Sequence, residues 1–295
     1  MKKSVIIAGA IAAIMAGTAV ADTTVYGRAR LGVVIADDND STGVVNDSSR
    51  FGFKGSEDLG NGMSAIYHFE LGYAANVQGG GVGNRIGLVG LKGDFGTIAL
   101  GSAWNPSYNL VEGTLDPFNH FGKIGGYVLG GRSSDVVAYI NKFGPADVQV
   151  ALVQVPHLTA TEDDQIDAID IGVSFDAGPV KIGVGYLGYT TVNNGDSGLA
   201  LSVNYKGDGF SVGAGYADGE DIGSDKITTL QGSVNVGSAG KIVAQYGSMD
   251  NADVNGTILA YHHNLSKRTQ AYIETASEDA HGGDAQTIIG LKHNF

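Results

Sequence analysis

From residue 22 onward the chain alternates with a period of two, and this most limits what it can become. In Val25-Tyr26-Gly27-Arg28-Ala29-Arg30-Leu31-Gly32-Val33 the odd positions are small or apolar, while the even ones include both arginines. Successive side chains of a β-strand point to opposite faces of the sheet, so Arg28 and Arg30 share a face. The same split sets Phe51 and Phe53 against Arg50 and Lys54, and Tyr67, Phe69 and Leu71 against His68 and Glu70. A charged face opposite an apolar one, repeated strand after strand, needs water on one side and lipid or a core on the other.

About sixteen such segments can be counted, centred near residues 29, 52, 68, 88, 99, 137, 151, 170, 185, 202, 213, 231, 244, 260, 273 and 290. Tight connections (57–62, 93–96, 143–146, 176–179, 207–209, 237–240 and 266–268) interleave with longer acidic or Gly-rich ones. Short turns at one rim and long loops at the other are the arrangement of an outer-membrane barrel. The expected fold is all-β: a transmembrane antiparallel β-barrel of 16 strands, with short periplasmic turns and longer external loops. Composition agrees. There are 47 Gly but only 5 Pro, and hydrophobic residues make up 43% with a mean hydropathy of +0.03, the balance of a chain whose polar and apolar residues alternate.

Compartment is read at the N-terminus. Met1-Lys2-Lys3 is basic, residues 5–17 are apolar, and Ala19-Val20-Ala21 precedes Asp22, which together make a secretory signal peptide over 1–21, cleaved to leave a barrel domain over 22–295. The apolar run falls short of the ~20 residues a spanning helix needs. Cys is absent, which excludes disulfides, zinc–cysteine sites and thiol chemistry. The formal charge is −13, and the acids gather between predicted strands, at 37–40, 162–164, 218–225, 250–253 and 278–284. Such loops repel nucleic acid. They suit solvated loop tips or, more specifically, divalent cations bridging the protein to anionic lipid headgroups.

Residues 104–131 are the longest interval that is neither alternating strand nor short turn. A connection of this length inside a compact chain calls for a function. It is expected to fold into the lumen and narrow a water-filled channel, with Trp104 anchoring its base and Glu112 and Asp116 opposite a row of wall arginines.

The stretch Ser49-Arg50-Phe51-Gly52-Phe53-Lys54-Gly55-Ser56-Glu57-Asp58-Leu59-Gly60-Asn61-Gly62 resembles the Gram-negative general porins, trimeric outer-membrane diffusion channels. So do Tyr26-Gly27-Arg28, Asn84-Arg85-Ile86-Gly87-Leu88-Val89-Gly90-Leu91-Lys92, Asp94-Phe95-Gly96, Leu265-Ser266-Lys267-Arg268-Thr269 and Gly290-Leu291-Lys292-His293-Asn294-Phe295. The resemblance spans the mature chain and implies a third external loop folded inward as an eyelet. It places Arg28, Arg30, Arg50, Arg85 and Arg132 on the basic wall and Glu112 and Asp116 on the loop. It also implies a homotrimer in the Gram-negative outer membrane, in contact with lipopolysaccharide, passing ions and small hydrophilic solutes by diffusion, with no cofactor or catalytic residue. Two departures stand out. Ser102 sits where the family often has another arginine, and Asp116-Pro117-Phe118 runs on into Asn119-His120-Phe121-Gly122 instead of the usual acidic-Phe-Gly-Gly. With acids crowding the mouth, a weak cation preference is expected.

Three motif matches are discounted. Gly209-Phe210-Ser211-Val212-Gly213 fits the nucleophile-elbow pattern but leads into a strand, not a helix. Gly183-Val184-Gly185-Tyr186-Leu187-Gly188 fits a dinucleotide fingerprint with no helix after it. His262 and His263, adjacent on a strand, point to opposite faces and cannot chelate together. The rival classes are a barrel-borne outer-membrane hydrolase and a secreted β-rich adhesin. The first requires measurable ester or peptide hydrolysis, and the second requires partition to the aqueous phase.

Overall fold

The computed structural model describes residues 22–36, 42–154, 166–190, 195–250, 253–277 and 285–295. The expected signal peptide and the acidic stretches 37–40, 162–164 and 278–284 lie outside the described residues. Those described form one antiparallel sheet: β1 (Thr24–Ala36), β2 (Gly43–Asn46), β3 (Arg50–Gly60), β4 (Met63–Tyr73), β5 (Val82–Gly93), β6 (Gly96–Trp104), β7 (Arg132–Phe143), β8 (Ala146–Val153) and β9 (Ala168–Ala177). It continues through β10 (Val180–Tyr189), β11 (Ser197–Lys206), β12 (Phe210–Asp218), β13 (Lys226–Val236), β14 (Gly240–Met249), β15 (Val254–Asn264), β16 (Thr269–Ala276) and β17 (Gln286–Asn294).

The sheet closes on itself, because β1 pairs with β17 from Arg28↔Asn294 to Ala36↔Gln286. Gly27 N–H also donates to the Phe295 carbonyl at 2.9 Å. Closure removes both sheet edges, which is what allows strands to sit in lipid. The barrel has 16 strands although 17 are assigned, since β2 and β3 are two lengths of one barrel strand, pairing with Leu31–Val34 and Thr24–Arg28 of β1 respectively. The interruption lies at Asp47-Ser48-Ser49, where Ser48 takes φ 56°, and it turns Asp47 to the inner face.

Facing follows parity. On β17, Leu291 is 57% exposed and Ile289 54%, while Ile288 is 0% exposed. Val25, Val33, Ile35, Leu199, Leu201 and Val203 are exposed in the same alternating manner, and together they make the apolar outer band. All sixteen expected segment centres fall within strands. The turn at 57–62 is shorter than expected, because Ser56, Glu57 and Asp58 continue the ladder to Ile66, Ala65 and Ser64 despite their polarity.

Candidate functional site: the charged wall and the 105–131 segment

The inner face of β1, β3, β4 and β5 carries a cluster of opposed charges. Arg28 and Arg50 are register partners across β1 and β3. Glu70, on the neighbouring β4, receives Arg50 Nε at 3.3 Å and Arg85 Nε at 2.8 Å. Tyr26 Oη donates to the same carboxylate at 2.9 Å. A bulge at Glu70 and Leu71 breaks the register between β4 and β5 and brings Arg85 alongside. Arg28 Nε donates to Asn294 Oδ1 at 3.1 Å, and Arg30 Nε to the Asp47 carbonyl at 2.6 Å. Arg132 makes no ion pair with Glu70; its guanidinium is 4.7 Å from the Trp104 ring centroid, and that of Arg85 is 5.8 Å from the same ring. The five arginines expected on the wall therefore lie on one charged face, held apart by neutral acceptors, one carboxylate and one indole.

The segment between β6 and β7 closes its base where Asn105 N–H donates to the Gly131 carbonyl at 3.0 Å. Trp104 stacks on Tyr108 at 4.2 Å, and Tyr127 meets Tyr108 edge-on at 4.8 Å. Pro106 opens a short helix, Pro106–Leu110, supplying the fixed φ that suits a first helical turn. A 3-10 turn, Glu112–Leu115, follows.

The segment is held to the polar face of the strands by groups that sequence reasoning did not single out. Asp170 accepts from Ser107 N at 2.8 Å and Ser107 Oγ at 2.7 Å. Gln245 Nε2 donates to the Leu115 carbonyl at 2.8 Å, while its Oε1 accepts from Ile124 N at 2.9 Å. Glu274, fully buried, accepts from Asn119 N at 2.6 Å and His120 N at 2.8 Å, with His262 Nε2 2.9 Å away. Asp47 bonds His120 Nδ1 at 2.6 Å and Tyr272 Oη at 3.1 Å. Lys292 Nζ donates to Asn119 Oδ1 at 2.8 Å. The only sequence signal for Asp170, Gln245, Glu274 and Lys292 was parity, since each sits on the inward face of its strand, and Asp47, in the break between β2 and β3, had none.

Glycine makes the close approach possible. A Cβ at Gly183 would stand 2.6 Å from the Leu110 carbonyl oxygen, and one at Gly172 would stand 2.3 Å from that of Pro106. Gly183 and Gly185 of the discounted dinucleotide match, with Gly172, thus form the shelf on which the helix rests. Leu110, Val111, Val128 and Leu129 pack there against Val136, Ala151, Ala168 and Leu187.

The two expected loop acids are placed differently from one another. Glu112 is 2% exposed, and its carboxylate accepts from Val128 N at 2.8 Å and Leu129 N at 3.0 Å. Burial pushes its carboxyl up, with Lys123 and the two amides opposing that, and burial pushes Lys123 down. Asp116 accepts from Tyr127 Oη, and burial raises it too, opposed by that bond and by the field of Arg30. Both acids are thus bonded within the segment itself, Glu112 to backbone amides and Asp116 to the Tyr127 hydroxyl. The other discounted matches behave as strand residues: Ser211 Oγ bonds Ser233 Oγ at 2.7 Å in β12, and His262 is buried while His263 is 2.9 Å from Tyr261 Oη on the opposite face.

Comparison with known proteins agrees with this architecture. Outer membrane porin protein 32 of Delftia acidovorans is 29% identical over 360 aligned positions that cover the whole of both chains. The major outer membrane protein P.IB of Neisseria gonorrhoeae is 38% identical over 120 residues, 37% of this chain, so the match spans about a third (34%) of that relative's length. An anion-selective porin from Comamonas acidovorans superposes with a TM-score of 0.75 at 24% identity, covering 93% of this chain and 100% of that one. Two of the three are porins by name, and the third is named as an outer membrane protein. A family model described as Gram-negative porin matches residues 8–283, and the closed barrel, apolar outer band and charged inner wall accord with it: the chain belongs to the Gram-negative porin family.

Proposed function

We propose that the chain forms a water-filled outer-membrane channel for passive diffusion of ions and small hydrophilic solutes, narrowed by residues 105–131 and preferring anions at its narrowest level. The carrying observation is the imbalance of available charge. Arg28, Arg30, Arg50, Arg85, Arg132 and Lys292 lie on the inner face, against which Glu70 is the carboxylate paired with arginine. Glu112, Asp170 and Glu274 are buried acceptors for the loop's own amides and hydroxyls, so they hold the loop instead of balancing the wall. Opposed charges across a narrow wet gap orient water and dipolar solutes, so an apolar solute must give up hydration to pass. No bond is made or broken.

The acidic loops pointed instead to a weak cation preference. At physiological salt, exposed charges act over about 8 Å, so loops at the mouth weigh less on a permeating ion than arginines within the constriction. Single-channel recording of the purified protein under a salt gradient tests this. A zero-current potential of the anion-selective sign supports the reading, and one of the cation-selective sign returns the weight to the loops. Assembly as a homotrimer and bridging of the acidic loops to lipopolysaccharide by divalent cations belong to the same proposal. They predict a heat-modifiable trimer on gels and co-purifying lipopolysaccharide that chelator strips away.

A further inference from the structure

Beneath the helix Pro106–Leu110 lies a cavity of about 190 Å³ between β5, β6, β7 and β8. The inner face of a porin-type barrel is normally polar. Here most of the lining is apolar, with Ile86, Leu88, Ala99, Ala138, Ile140 and Trp104, while His68 of the neighbouring β4 adds a ring whose Nε2 is 2.5 Å from Tyr26 Oη. Ile140 remains 39% exposed, so the apolar surface is not filled from within the chain. Asn109 and Gln149 border it, but Asn109 Nδ2 donates to Gln149 Oε1 at 3.0 Å, so the two amides spend hydrogen-bonding capacity on each other.

The same indole that lines the cavity carries the guanidiniums of Arg132 and Arg85, 4.7 and 5.8 Å from its ring centroid. Arg85 already has Glu70, whereas Arg132 makes no ion pair among the described residues. The indole that borders this largely apolar pocket thus also carries a guanidinium that forms no ion pair among the described residues.

We propose that this is a binding subsite for small organic monocarboxylates with an apolar body, such as an aromatic acid: the body lodges in the cavity against Trp104 and the carboxylate pairs with Arg132. The inference rests on the channel reading for its route of access and adds a solute class to it. Two contributions combine. Guanidinium pairs with carboxylate through charge-assisted hydrogen bonds, and a ring in the cavity removes apolar wall from water. Acetate supplies the first contribution without the second.

Trp104 is the only tryptophan in the chain, so its fluorescence reports this site directly. Benzoate titrated into the detergent-solubilised protein should change that fluorescence saturably, with a half-effect concentration at least about fivefold below that of acetate, from burial of the ring. Leu88→Asn, which makes the floor polar, and Ala138→Met, which fills the cavity, should each bring the benzoate-to-acetate ratio towards one. Using a ratio within each variant removes effects of either change on the barrel as a whole, and heat-modifiable migration confirms folding. Equal response to the two anions in the unaltered protein, or a full ratio retained by both variants, overturns the subsite. The channel reading is judged apart, by chloride current in bilayers. A silent bilayer with saturable benzoate quenching leaves the subsite and removes the channel, and anion-selective current with a ratio of one does the reverse.

Discussion

Glu70 occupies a position where a single charge governs its neighbours. With Arg50, Arg85 and Tyr26 all converging on its carboxylate, Glu70→Gln would leave two guanidiniums without their counter-charge. The expected result is a zero-current potential displaced further towards anion selectivity, whereas Arg50→Gln with Arg85→Gln should displace it towards cations; an unmoved potential in both would take this cluster out of the ion path. Glu112 is predicted to act on stability. The amide of Glu112→Gln can accept only one of the two N–H bonds and presents a donor to the other, at a cost of about 1–3 kcal/mol, which should lower the heat-modification temperature. Parity made Glu70 legible as an inward charge, but nothing local to Glu112 indicated that its partners would be the amides of Val128 and Leu129, sixteen and seventeen residues on.

The strands and the 105–131 segment differ in how they are specified. Strand positions were legible because alternation is a local property, felt within four or five residues. The short β2 was not anticipated, since Asp47-Ser48-Ser49 reads as the polar end of a loop and becomes a break in a strand only because β1 is long enough to pair on both sides of it. The inward segment rests on glycines and carboxylates of distant strands. Gly183→Val should displace the helix Pro106–Leu110, because the closest atom to the added Cβ, at 2.6 Å, is a backbone oxygen that cannot swing aside as a side chain would. Single-channel conductance should change measurably in that variant, and it should rise on deletion of residues 112–121. Unaltered conductance in the deletion would mean that the segment does not line the ion path.

For the whole molecule, selectivity should depend on ionic strength. On the proposed reading the constriction holds a basic excess, while the chain as a whole carries a formal charge of −13, and the two would act over different distances. Lowering salt to about 0.01 M stretches the screening length to roughly 30 Å, so the acidic loops should then pull the zero-current potential towards cations. A potential ratio independent of salt would assign selectivity to the constriction alone. The alternation, the even count of segments and the sorting of short and long connections determined from sequence alone that the chain would close into a lipid-facing barrel with a charged interior. They did so because each strand declares its two faces locally and closure leaves no edge. Which acids are taken up as partners of the 105–131 segment was decided only by the tertiary structure. The path of 105–131 depends on partners as far away as Glu274, 155 residues from Asn119, and on the glycines that make room for it. Pairing over such separations has no periodic signature, so a buried loop staple and an exposed pore acid look alike until the chain is folded.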